Sequence, residues 1–187
     1  MKRVLCLVLC FAFILSFAAC GGKKTDSRGE IDKLAAKGEI PEYEVKLGST
    51  AEFALKHYED LSKEQNNDDL ILSEYEGSTA VNLMNGVQSF YYEKQHADKG
   101  ISVVAVTGGY AYGLELGNTT TKNDVLKKLA ADYTERAATA DDLFFLPGTM
   151  EGAKVITANF DNIKLEFFFF DDFLSAVCLT DTNYWNN

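Results

Sequence analysis

The chain has 187 residues, with 18 basic and 28 acidic side chains and a formal net charge of −10. Its 47% hydrophobic and 25% charged content is that of a folded globular protein, not a disordered one. The acidic balance excludes nucleic acid as a partner, because a field of that sign repels a polyanion.

The first segment is MKRVLCLVLCFAFILSFAAC, in which Lys2 and Arg3 precede an apolar run from Val4 to Ala19. That run is shorter than the roughly 20 apolar residues of a membrane span and suits the core of a secretory signal. The residues Phe17-Ala18-Ala19-Cys20 resemble the lipobox of bacterial lipoproteins, with Phe17 standing where leucine is usual. The resemblance implies that residues 1–19 are a lipoprotein signal peptide, that cleavage falls before Cys20, and that the Cys20 thiol carries diacylglycerol. Two or more acyl chains, at about 0.8 kcal/mol per buried methylene, make a stable anchor where one is marginal. The expected location is the cell membrane, lipid-anchored and facing the extracytoplasmic side. The alternatives are an uncleaved anchor helix, or a plain secretory signal with an incidental cysteine.

Cys6 and Cys10 lie in the signal, so the mature chain keeps an acylated Cys20 and a solitary Cys178, with no disulfide framework. Cys178 sits in the apolar run LSAVCLTD and reads as a small buried hydrophobe. Residues 20–41 form the acylated cysteine and a flexible tether: GGKKTDSRGE is small, polar and without apolar period, and IDKLAAKGEI adds a short helical turn.

The remainder reads as two tandem repeats, 42–110 and 111–187. Leu47-Gly48-Ser49-Thr50 matches Leu116-Gly117-Asn118-Thr119, and Asp68-Asp69-Leu70 matches Asp141-Asp142-Leu143. The turn Asn85-Gly86 matches Asp161-Asn162, and VAVT ending at Thr107 matches VCLT ending at Thr180. Four landmarks in one order at nearly constant spacing indicate a duplication. Ser49 with Glu52 predicts a capping box opening an amphipathic helix that bears Phe53, Leu55 and Tyr58; Thr121 with Asp124 predicts the same for Val125, Leu126 and Leu129. Asn85-Gly86 predicts a tight hairpin, since both residues tolerate positive φ, and Asp161-Asn162 predicts a second. A third strand follows in each half, at 101–107 and 174–180, and a short strand is expected before each helix, at 43–47 and 112–116. The expected fold class is α+β: two helix-plus-antiparallel-meander repeats forming one continuous sheet with helices on one face.

YGLELGNTTTKNDVLKKL followed by a hairpin meander resembles the tandem-repeat fold of the β-lactamase-inhibitor-protein-like lipoproteins, whose relatives include the small lipoprotein of the outer-membrane barrel assembly machine. That resemblance covers most of residues 42–183 and implies binding to other proteins through the sheet face, without catalysis. It does not imply β-lactamase inhibition.

The chemistry-bearing residues are few. His57 lies mid-helix and His96 at a polar hairpin tip, neither with a Cys or His at metal-ligand spacing. Asp68-Asp69, Asp141-Asp142 and Asp171-Asp172 are consecutive, whereas a calcium loop alternates its ligands. Gly108-Gly109 is followed by no GK[ST], so it reads as a joint. We therefore expect no enzyme, no metal and no cofactor.

The aromatics say more. In NIKLEFFFFDD, Ile163, Leu165, Phe167 and Phe169 alternate onto one buried face, leaving Lys164, Glu166, Phe168 and Phe170 on the other. The matching first-repeat strand offers Phe90 and Tyr92, with either face possible as the inward one. These six residues are the expected partner-binding surface, with a membrane reached through the lipid anchor and an extracytoplasmic protein as partner. The alternative for the residues is that the tail, with Tyr184 and Trp185, covers them. The alternative for the function is a small-ligand or cell-envelope glycan-binding lipoprotein.

Overall fold

A computed structural model of the protein describes residues 28–139, 142 and 153–184. Cys20, Asp141, Leu143 and Trp185 lie outside the described residues. Among the described residues three α-helices, α1 (Glu30–Ala35), α2 (Ala51–Gln65) and α3 (Lys122–Lys128), accompany ten strands. The first four strands are β1 (Ser73–Glu76), β2 (Ala80–Met84), β3 (Gln88–Glu93) and β4 (Val103–Val106). A small hairpin, β5 (Tyr110–Ala111) with β6 (Leu114–Glu115), precedes α3. The last four are β7 (Tyr133–Ala137), β8 (Lys154–Phe160), β9 (Ile163–Phe170) and β10 (Phe173–Asp181).

α2 begins one residue later than the Ser49–Glu52 pattern predicts. Thr50 is its N-cap, with Oγ1 accepting the Phe53 N–H at 3.1 Å, while Ser49 Oγ accepts from Lys46 N at 3.1 Å and holds the approach loop. The expected box at α3 forms: the Asp124 carboxylate accepts from both the N–H and the hydroxyl of Thr121. Those bonds and Lys127 beside it hold the Asp124 carboxyl below its ordinary range. Ala54, Tyr58 and Ser62 recur every four residues on α2 and are its buried stripe.

The eight long strands form one antiparallel sheet in the order β1-β2-β3-β4-β10-β9-β8-β7. β4 meets β10 at the centre, with Val106 opposite Val177 and Val103 opposite Thr180. Both predicted hairpins are present, but the first closes over Gly86 and Val87, with neither Asn85 nor Gly86 at the positive φ expected of them: Asn85 N donates to Gln88 O at 3.0 Å and Asn85 Oδ1 accepts from Val87 N and Gln88 N at 2.9 Å. Asp161 supplies a positive φ (48°) in the second turn. Each half thus carries a four-stranded meander where three strands were expected, because β1 and β7 add the outer edges. Residues 43–47, expected as a strand, are turn and irregular chain, and 112–116 contributes only the short β6.

Gly100 shows why a glycine is needed at the start of the central strand segment. Its φ is 78°, and a Cβ there would stand 2.5 Å from the Gly48 carbonyl oxygen. The close approach lets Gly48 N donate to Ile101 O and Ile101 N donate to Ser49 O, both at 2.8 Å, which ties the loop before α2 to the sheet.

The helices gather on one face. Ile31, Ala35, Ala54, Tyr58, Val125 and Leu129 from that layer pack in one cluster with Leu83, Phe90, Val104, Leu165, Phe167, Phe169 and Val177 from the sheet. The expected tether over 20–41 is thereby corrected for its described part: Ile31, Ala35 and Ile40 are buried in the core, so the folded body begins by Glu30. The opposite face carries a second, smaller cluster of Tyr91, Val103, Ala105, Ala153, Val155, Phe168, Ala176 and Cys178, which contains no helical residue among the described residues. Period-two alternation along each strand assigns the two faces.

Candidate functional site

The sheet face opposite the α-helices has three parts among the described residues. The middle is closed. Phe168 lies between Val155 and Ala176 in register and is 2% exposed, and Val103, Ala105 and Cys178 are buried beside it. The expectation that Phe168 offers an open aromatic surface is therefore corrected: it is on the predicted face, but it is core. Phe90 is corrected more strongly. It faces the helices, 0% exposed, with its ring centroid 5.7 Å from that of Tyr58. Tyr92 lies on the same helix-side face, half-buried at the rim of the main cluster. Phe170 is 42% exposed at the end of β9, and Lys164 is half-buried near the other end. The tail residue Tyr184 is buried too, but its hydroxyl accepts from Glu93 N at 3.0 Å and donates to His96 O at 3.0 Å, beside β3 and not over Phe168.

Toward β7 the face is ionic. Glu166, expected as a surface charge, is 4% exposed, and a buried carboxylate needs partners. It has three: Arg136 Nη2 donates to Oε1 at 2.8 Å, Thr157 Oγ1 donates to Oε1 at 3.3 Å, and Lys164 Nζ reaches Oε2 at 2.9 Å. The same guanidinium clamps Asp142, with Nη1 and Nη2 on its two oxygens at 2.7 and 2.6 Å. Asp142 also accepts from the N–H and hydroxyl of Thr139. The Arg136 bonds, with those from Thr139, hold the Asp142 carboxyl down at about 2. The two carboxylates in turn push the Arg136 guanidinium further up. Sequence reading singled out neither Arg136 nor its fork, because Glu166 is 30 residues away and only the β7–β8–β9 register brings it within reach.

Toward β1 the face is open. Tyr75, Asn82, Tyr91 and Val103 lie directly opposite one another on four adjacent strands, so their side chains form one row on the helix-free side. Tyr75, Asn82 and Tyr91, with the β1–β2 turn at Gly77, Ser78 and Thr79, line a groove of about 670 Å³. Tyr75 is 59% exposed. A smaller hollow of about 220 Å³ lies between α1 and the β5–β6 turn, but its one cation, Lys128, already donates to the Tyr112 and Gly113 carbonyls.

His57 stacks on Phe53 and has Glu44 Oε2 3.5 Å from Nδ1; His96 packs edge-on against Tyr184. Among the described residues no three His, Cys, Asp or Glu side chains come together as a metal site. Asp68 and Asp69 open a single 3₁₀ turn capped by Asn67, a local structural use. No described helix is long and apolar enough to cross a membrane.

Cys178 lies under the closed middle, and burial pushes its thiol up to about 12. The reactive thiolate is thus scarce at neutral pH. We expect peptide-level mass spectrometry to find Cys178 unalkylated by iodoacetamide in the native protein and fully alkylated in denaturant.

No protein-family model, curated protein or solved structure matches the chain.

Proposed function

We propose that the protein is an extracytoplasmic lipoprotein, anchored in the membrane through an acylated Cys20, that serves as a non-catalytic binding module. The observation that carries the reading is the one-sided layering: the helices take one face of an eight-stranded sheet, and the other face ends in an open groove bordered by Tyr75 and Tyr91. The partner of this reading is another extracytoplasmic protein, docked on the helix-free face. The tandem-repeat reading, and with it the resemblance to β-lactamase-inhibitor-protein-like lipoproteins, draws support from the strand order. In each half one α-helix leads into four consecutive antiparallel strands, and the last strand of each half meets the other at the centre. A second reading, binding of a small ligand or envelope glycan, is favoured by the groove itself, whose volume is that of a small-molecule site.

Metabolic labelling with a palmitate analogue tests the anchor. Label on the wild-type chain and none on Cys20→Ser supports it, and equal label on both, or none on either, refutes it. Crosslinking of the lipidated protein in native membranes then tests the partner. A single abundant extracytoplasmic protein captured through the helix-free face supports the module reading, and no capture removes the protein partner from it.

A further inference from the structure

We infer that the Tyr75–Asn82–Tyr91 groove is a subsite for one ring of a neutral saccharide. The inference rests on the reading that the helix-free face is the contact surface, and it names the ligand chemistry of that face. The two tyrosines stand on β1 and β3, two strand spacings or about 10 Å apart, with Asn82 of β2 between them in register. Side chains on a strand project roughly perpendicular to the sheet. Tyr75, 59% exposed, therefore raises one accessible aromatic wall beside the Asn82 amide, while Tyr91, 9% exposed, closes the inner end of the groove. A pyranose presents what such a site asks for, an apolar C–H face for a ring and hydroxyl or acetamide groups at its edge.

The polar groups of the groove are placed to receive those edges. Asn82 Oδ1 accepts from Ser89 Oγ at 2.6 Å, which orients the amide. Among the described residues its Nδ2 has only the Met84 thioether at 3.9 Å, a weak contact that a stronger acceptor can replace. The hydroxyls of Tyr75, Ser78 and Thr79 make no hydrogen bond among the described residues and stand at the rim. A purely apolar ligand would cover the amide and leave it without a partner, an unfavourable exchange.

Charge selects further. The groove lining holds no Lys, Arg or His among the described residues, its one charged member is Glu76, and the chain carries −10 overall. Uronic or sialic acids, phosphosugars and other anionic ligands are disfavoured by that field. Glu76 is itself paired with Lys94, so this carboxylate already has a cation of its own. A neutral hexose or N-acetylhexosamine is what remains.

Titration calorimetry on the full lipidated chain in detergent micelles tests this, with chitotriose and cellotriose as probes against wild type, Tyr75→Ala and Asn82→Leu. Tyr75 is exposed, so its truncation leaves the fold intact, and melting curves check both variants. We expect at least one of the two sugars to bind wild type. Its affinity should drop on the order of tenfold in Tyr75→Ala, the range of one lost aromatic contact, and fall in Asn82→Leu too. Binding of neither sugar, or equal binding by wild type and Tyr75→Ala, overturns the subsite. Membrane crosslinking of the same variants separates the two readings. Protein capture that persists in Tyr75→Ala while no sugar binds sinks the subsite and leaves the protein-binding module standing. Capture that is lost in Tyr75→Ala, again with no sugar bound, overturns the subsite by assigning the groove to a protein.

Discussion

Replacing Phe168 by alanine should lower stability by about 3 kcal/mol, whereas Phe170→Ala should cost less than about 1 kcal/mol. Both residues fall on the same face of β9, two positions apart, and both read from the sequence as contact aromatics. Phe168 is 2% exposed and Phe170 42%. In the sheet, Phe168 has Val155 on one side and Ala176 on the other, with Cys178 and Ala105 in the same cluster. Short neighbours fixed by strand pairing have little reach to fill the hole a benzyl group leaves, so the cavity persists and the cost sits in the large-to-small range. Phe170 ends β9 opposite Phe173, and its truncation removes partly solvated surface. For a chain of this size about 3 kcal/mol lowers the melting temperature by roughly 6–12 °C. Thermal unfolding followed by circular dichroism decides the matter. Equal, small shifts for the two variants would return Phe168 to the surface and reopen it as a partner contact.

The second large effect is expected at Arg136. Its removal leaves Glu166, 4% exposed, with only Lys164 and Thr157 among the described residues, and Asp142 with only Thr139 among them. Breaking a buried ion pair from one side costs 3–5 kcal/mol in a dry interior. The Arg136 side chain is 36% exposed, so screening reduces that to about 2 kcal/mol for Arg136→Ala. Arg136→Lys should recover less than half of it, because an ammonium cannot bridge two carboxylates as a planar fork does.

The pH dependence carries the sign of a depressed acid. Asp142 in the folded protein titrates at about 2, below the ordinary carboxylate near 4. Its contribution to stability is therefore complete above about pH 4 and is lost as pH falls toward 2. In Arg136→Ala the depression shrinks to what the Thr139 bonds supply, so the loss of stability over that window should be smaller than in wild type. Urea unfolding at pH 7, 4 and 2.5 measures both the offset and the slope. Parallel acid limbs in the two proteins would mean that Arg136 does not carry the Asp142 shift.

Much of the local structure was legible in the sequence because its causes are local. A capping threonine followed by an acid, an Asn-Gly pair between apolar runs, and the alternation of Ile163, Leu165, Phe167 and Phe169 each act within a few residues. The hairpin turns, α3, the central strands and the α+β layering are accordingly where those signals put them. The edges were not legible. Ser73-Glu74-Tyr75-Glu76 and Tyr133-Thr134-Glu135-Arg136-Ala137 have no apolar period, and they are strands because β2 and β8 offer them a free ladder. Residues 43–47 have more strand-like composition and join no strand; Val45 is buried in the main core, and Leu47 N donates to Gly38 O.

The candidate site divides along the same line. Alternation alone decided that Phe168 and Phe170 share a face with Lys164 and Glu166, and that is how they lie. Whether a face is open depends on the size of the neighbours that strand register supplies. Phe168 is buried in one cluster with small residues of β4, β8 and β10, and the β1–β3 register sets Tyr75, Asn82 and Tyr91 in a row. Composition and periodicity determined the layers, because they are sums over nearby residues. Which side chains are buried, which are paired and which line a groove was decided only by tertiary structure, because each depends on partners brought from up to tens of residues away.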